Sequence, residues 1–207
     1  MEILTNKKVL IVGATGGIGA ETTKLIKKNH AEVFITGRNE ERLKEVAQEN
    51  DIPLNNAFTM DVTQLDQVET VANEIHQRVG QLDVVVNAAG IGIIKPLEKL
   101  TAEDFGKTID VNLKGAFHVF KYFLPPMKVA KKGLVINIPG VLGKTPMAGA
   151  AAYSASKYGL NGMTKSLREE LRRTEVRITN LYLGGVDSPF WDEIDMRVNR
   201  DKFITAK

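Results

Sequence analysis

The chain has 207 residues, 43% of them hydrophobic, which is enough to bury one substantial core. Its 28 basic and 25 acidic residues leave a formal charge of +3, and no basic block is longer than a pair, so a nucleic-acid partner is not expected. The absence of cysteine excludes disulfides and thiolate chemistry, and three scattered histidines (His30, His76, His118) offer no metal cluster. No apolar run approaches a membrane span, and the short polar lead-in to Val9 lacks the pattern of a signal peptide. A cytoplasmic protein without membrane contact is the expectation.

In chain order, β-branched runs at Val9–Val12, Glu32–Thr36, Asn56–Thr59, Asp83–Val86, Leu134–Ile138 and Arg177–Tyr182 predict six strands, most of them apolar enough for burial on both faces. Helical patterns at 18–29, 39–49, 64–79, 101–129 and 150–174 fill the crossovers. Thr63 and Thr101 are expected N-caps, and Pro125-Pro126 is expected to break or end the fourth helix. This alternation predicts an α/β fold with a doubly wound parallel sheet and helices on both faces. No linker or repeat interrupts it, so residues 1–207 read as a single domain. After Leu183 the pattern loosens. Gly184-Gly185 opens a loop, and residues 188–200, with Phe190 and Trp191, read as a small lid-like helix within a cover at 184–200.

Chemistry concentrates in a few places. The first strand runs into Gly13-Ala-Thr15-Gly16-Gly17-Ile18-Gly19, a turn that opens a helix whose free N–H groups and positive dipole end suit a pyrophosphate. The spacing is G-x-x-x-G-x-G, and placement between strand and helix favours dinucleotide binding over a purely steric turn. The second strand ends at Thr36-Gly37-Arg38, where a ribose-binding carboxylate would mark an NAD site. Arg38 offers a fork to a 2′-phosphate, which makes NADP(H) the expected cofactor in preference to NAD(H); the plainer reading is a solvated arginine opening a charged helix. Tyr153 and Lys157 stand one helical turn apart, and a lysine charge on the same face favours the phenolate, so the pair can exchange protons with an alcohol or carbonyl. Alone, that spacing is equally a solvated helix face. It gains weight by following the glycine-rich turn, Asn87-Ala88-Ala-Gly90 and Asn112 in a consistent order.

Together these residues resemble the short-chain dehydrogenase/reductase family from about residue 5 to residue 199. The resemblance rests on the glycine-rich turn, Asn87-Ala-Ala-Gly90, Asn112 and Tyr153-x-x-x-Lys157. It implies a Rossmann-type sheet of order 3-2-1-4-5-6. Asp61 and Val62 would then flank an adenine, and Asn87, Ala88 and Gly90 would line the cofactor cleft. Lys157 would bond the nicotinamide ribose, and Asn112 would hold a water beside it. Gly184–Pro189 would cover the nicotinamide, with Val186 bonding the carboxamide through its backbone and Ser188 alongside. Relatives pair through the two long helices, so at least a homodimer is implied, with Phe117, Phe120, Leu160 and Met163 on outer faces.

The chain departs from the family pattern at several positions. Val12 and Leu183 replace a usual threonine and proline, and the usual seventh strand has no counterpart before residue 207. Gly140 stands where the family carries a catalytic serine, thirteen residues before Tyr153. Loss of such a donor costs about 10²–10³ in rate, so restoring serine is expected to raise turnover. The substrate pocket is expected to draw on Gly140, Leu142, Met147, Phe190 and Trp191, with Ile93 and Ile94. Lys95 and Lys144 are candidates at its mouth for an anionic carrier, with solvated lysines as the alternative. The expected activity is NADP(H)-dependent hydride transfer between nicotinamide and a small-molecule carbonyl or secondary alcohol, with Tyr153 as acid–base group. The alternative is a nucleotide-binding protein of the same fold with little turnover and a regulatory or scaffold role.

Overall fold

Valine and isoleucine runs without polar alternation make strands that bury both faces, and a computed structural model describes them within residues 4–192, 194 and 199–206. Strands β1 (Lys8–Val12), β2 (Glu32–Gly37), β3 (Ala57–Thr59), β4 (Val84–Asn87), β5 (Lys132–Asn137) and β6 (Glu175–Asn180) form one parallel sheet in the order β3-β2-β1-β4-β5-β6. This is the doubly wound Rossmann-type arrangement expected from the sequence. Helices α1 (Gly17–Lys28) and α2 (Glu40–Glu49) lie on one face, where Val9, Ile11, Val33, Ile35, Leu43 and Val46 pack together. The alternate residues Leu10, Phe34, Val85 and Val135 meet α3 (Leu65–Val79), α5 (Gly115–Val129) and α6 (Ala151–Leu171) on the other.

Several element ends differ from the sequence reading. Thr101 caps α4 (Ala102–Ile109) in a capping box with Asp104, as expected. Thr63 does not cap α3: Gln64 holds that position, and the Thr63 hydroxyl instead donates to Asp61 Oδ1 at 2.8 Å. The expected helix over 101–129 is interrupted by one wide π turn at Asp110–Lys114. Pro125-Pro126 lies inside α5 without ending it. A proline at 126 leaves the Tyr122 carbonyl without its helical donor, and His76 Nε2 sits 3.3 Å from that oxygen as a substitute. The sixth strand ends at Asn180, two residues before its expected end, and the last long helix stops at Leu171.

The lid contains a 3-10 turn at Pro189–Trp191; the rest of the small helix expected at 188–200 falls largely outside the described residues. A two-stranded parallel pair, β7 (Val186–Asp187) with β8 (Ile204–Thr205), stands apart from the main sheet, whose last strand is β6. Among the described residues no helix is long and apolar enough to cross a membrane. Phe117 on α5 is exposed and Met163 on α6 half-buried, but Phe120 and Leu160 are buried in the core and do not face outward as expected. Their positions on the helix are set by the sheet beneath, which takes both side chains.

Candidate active site

Parallel register aligns the strand ends. Val12 lies beside Thr36 and Asn87, and Asn87, Asn137 and Asn180 stand in one row across β4, β5 and β6. Asn87 Nδ2 donates to Asn137 Oδ1 at 3.1 Å, which ties these ends together beneath the loops that carry the site. Asn87 is buried and lines neither of the two cavities described below.

The glycine-rich turn departs from β1 with Gly13 at φ 81°, where its amide and that of Ala14 both donate to Thr36 O. A β-carbon at 13 would lie 2.7 Å from Ala89 N, so only glycine lets the turn lie against the 88–89 backbone. Helix α1 starts after Gly16 with no side-chain cap, leaving its first N–H groups for a ligand. Two cavities flank this turn. The smaller, about 180 Å³, is lined by Thr15, Gly16, Thr36, Arg38, Met60, Val62, and residues 88–91. The Thr36 hydroxyl there is buried without a partner. Among the described residues Arg38 forms no ion pair and no acidic side chain lines either cavity. Asp61 does not join this lining; its carboxylate accepts from Thr63 N and Oγ1.

The larger cavity, about 470 Å³, takes in Gly16–Gly19, Ala88, Gly90, Gly140, Tyr153 and Gly184–Val186 with Ser188. Its far wall is apolar: Ile94, Leu142, Met147, Phe190 and Trp191 pack with Tyr153 as a third hydrophobic cluster. The candidate pocket residues are thus brought together, with Ile94 but not Ile93 among the lining. Ile194, buried in this cluster, and Phe203, in the cavity wall, were not legible from spacing. The two lysines are engaged elsewhere. Lys95 pairs with Asp104 at 2.8 Å, and Lys144 lies 3.7 Å over the Tyr182 ring, so neither stands as a free cation for a carrier.

Tyr153 and Lys157 share the α6 face as their spacing predicts, with Lys157 Nζ 5.4 Å from the tyrosine ring. Lys157 is almost fully buried and donates to Ile138 O at 3.1 Å. Burial dominates both ionisations: it pushes the phenol up to about 12 and the lysine down to about 8. The expectation that the lysine charge would favour the phenolate is therefore reversed by desolvation, and the phenol holds its proton at neutral pH. Asn112 faces the same centre from the π turn. Its Oδ1 accepts from Ile91 N at 2.8 Å while Nδ2 donates to Ile91 O and Ser156 Oγ, and Ser156 Oγ donates to Tyr153 O. The side chain expected to hold a water is committed to clamping the Asn87–Ile91 loop onto α6. A β-carbon on Gly90 would lie 3.2 Å from Asn112 Oδ1 and 3.4 Å from Lys157 Nζ, so any larger residue there would crowd both groups. Ser156 and the Ile138 carbonyl were missed because their roles come from contacts across the fold.

Gly140 lines the cavity where the serine was expected, at φ 68° and ψ 174°. L residues essentially never adopt that backbone.

The short chain dehydrogenase family model matches residues 7–199. An uncharacterised oxidoreductase of Staphylococcus epidermidis is 33% identical over 195 residues, covering 94% of this chain and 84% of that protein. Among solved structures, a metagenomic short-chain oxidoreductase in complex with NADP is 34% identical with a TM-score of 0.80, covering 88% of this chain and 83% of that one. A short-chain dehydrogenase from Streptomyces avermitilis is 25% identical with a TM-score of 0.83, covering 89% and 68%. The six-stranded parallel sheet agrees with these matches, and the chain belongs to the short-chain dehydrogenase family of oxidoreductases.

Proposed function

We propose that the chain is an NADP(H)-dependent reductase, or in reverse a dehydrogenase, of an apolar carbonyl or secondary alcohol, acting as one domain over 1–207. The observation that carries this reading is the half-buried Tyr153 in the wall of the larger cavity, one helical turn from Lys157, whose Nζ lies 5.4 Å from its ring. The uncapped start of α1, the orphaned Thr36 hydroxyl and the unpaired Arg38 fit a phosphorylated dinucleotide. When bound, NADP(H) supplies or accepts the hydride.

The chain's own residues do the rest. Gly13–Gly19 would hold the pyrophosphate, Arg38 the 2′-phosphate, Val62 the adenine side, Lys157 the nicotinamide ribose, and Val186 and Ser188 the nicotinamide end. In reduction Tyr153 would give its proton to the substrate's carbonyl oxygen, and the charge of Lys157 would steady the tyrosinate that remains. Ile94, Leu142, Met147, Phe190 and Trp191 exclude water and select an apolar substrate. Exposed Phe105, Phe117 and Tyr158 on α4, α5 and α6 support a homodimer through those helices, which light scattering at micromolar concentration tests.

NADPH oxidation against a carbonyl panel is the direct test. Tyr153→Phe should lower turnover by about 10²-fold or more while NADPH affinity stays within about twofold; parallel losses in both would overturn the assignment. Gly140 favours a second reading, a nucleotide-binding protein with little turnover, because the cavity lacks a serine hydroxyl beside Tyr153. NADPH binding with no turnover of any carbonyl would select it.

A further inference from the structure

The wall of the larger cavity is completed by Phe203, which reaches it from a strap that follows the lid in sequence and folds back on it. The strap is held in three ways. Its backbone adds to the lid as β8 on β7, pairing Val186 with Ile204 and Asp187 with Thr205, and Ile204 N donates to Gly185 O at 3.0 Å. The Phe203 ring packs at a tilt against Trp191, with 4.9 Å between ring centroids, and lies directly on Gly185, where a methyl group would overlap it. Arg200 then reaches across to two carboxylates of the lid, Asp192 at 2.6 Å and Asp187 at 3.6 Å. Trp191 is itself tied down by Nε1 donating to Val186 O at 2.9 Å, and Phe190 links it edge-on to Tyr153.

An unbroken aromatic series therefore runs Phe203, Trp191, Phe190, Tyr153, from the strap to the proton donor. Gly140 adds no side chain on its side of the cavity, so this series, together with Ile94, Leu142 and Met147, bounds the space beside Tyr153.

We propose that Phe203 is a specificity-determining residue that limits the bulk of the substrate, and that Arg200 is a positioning residue that latches the strap carrying it onto the lid. The proposal deepens the carbonyl-reductase reading and rests on it for the identity of the ligand. The latch is solvent-exposed, so its attraction is weak and screened by salt. Strand pairing and the aromatic contact do the holding, and the ion pairs add to them.

Trp191 is the chain's single tryptophan, which makes its fluorescence a direct report. Binding of cyclohexanone and of 2-acetylnaphthalene is followed by Trp191 quenching, and NADPH oxidation is measured with the same two ketones. Phe203→Ala should raise the preference for the naphthyl ketone over cyclohexanone by about tenfold in affinity and in kcat/KM, the discrimination a few methylenes provide. Gly185→Ala, which displaces the ring without removing it, should move the preference the same way. Arg200→Ala should increase acrylamide quenching of Trp191, Arg200→Lys should partly restore protection, and added salt should raise quenching in the parent but not in Arg200→Ala.

An unchanged ketone preference in Phe203→Ala overturns the specificity assignment. Unchanged acrylamide quenching in Arg200→Ala overturns the latch. If neither ketone is turned over yet the affinity ratio shifts, the carbonyl-reductase reading falls while the role of Phe203 in sizing the cavity stands.

Discussion

Lys157 Nζ donates to the carbonyl oxygen of Ile138 at 3.1 Å, so the ammonium on α6 is docked on the residue that follows β5. Its burial depresses its pKa to about 8 from 10.5. Below about pH 8 folded and unfolded chains both carry the proton, and the cost of burying the charge is fully present. Between about 8 and 10.5 the unfolded chain binds more protons, so stability rises with pH; the displacement corresponds to roughly 3 kcal/mol. In thermal unfolding of the apo protein across pH 7–10, Lys157→Met should lose this rise relative to the parent. Parallel pH profiles for the two would show that Lys157 is not desolvated as its surroundings indicate.

Turnover should follow the opposite course. Reduction draws on a protonated phenol and a charged lysine, and Lys157 discharges first. The kcat for carbonyl reduction should therefore fall as pH rises through about 8, well before the phenol ionises near 12. A plateau extending to pH 10 would remove the lysine charge from the mechanism.

For Arg38, the expected outcome is a preference for NADPH over NADH of about ten- to a hundredfold in affinity, from charge-assisted bonds to one phosphate. Calorimetric titration with both nucleotides measures it. An Arg38→Ala variant that keeps the preference would place phosphate recognition elsewhere.

At Gly140 the backbone reverses the expectation drawn from the family serine. A β-carbon there has room, its nearest neighbour being Leu183 O at 3.6 Å, but φ 68° with ψ 174° strains any L residue by about 1–3 kcal/mol. Gly140→Ser and Gly140→Ala should lower the melting temperature by similar amounts, and serine should bring no gain in turnover. A rise in kcat with serine alone would mean the loop relaxes and the hydroxyl reaches the substrate oxygen.

Asn112→Ala leaves Ile91 N, Ile91 O and the Ser156 hydroxyl without this partner at a buried junction. Stability should fall by about 2–4 kcal/mol, and kcat should fall with it as the Asn87–Ile91 loop loosens from α6. Lost turnover at unchanged melting temperature would favour the water-holding role over the clamp.

Much of this was written locally in the chain. Alternating β-branched and helical runs specify a doubly wound parallel sheet because right-handed crossovers leave few topologies, while the strand order followed from the family resemblance. The Tyr153–Lys157 spacing places both groups on one face whatever surrounds them, and the glycine turn after Val12 is positioned by the strand and helix it joins. Properties set by neighbours distant in sequence needed the tertiary structure. Spacing could not reveal that burial outweighs the lysine charge at Tyr153, because desolvation depends on Ile138, Phe190 and the elements packed around them. The clamp by Asn112 and the contact of His76 with Tyr122 O are pairings across 21 to 46 residues. Phe203 reads as one more aromatic until the strap lays it on Gly185. Gly140 reads as a lost serine until its φ shows a backbone that only glycine adopts freely, since steric strain belongs to a conformation and not to a residue's place in a motif.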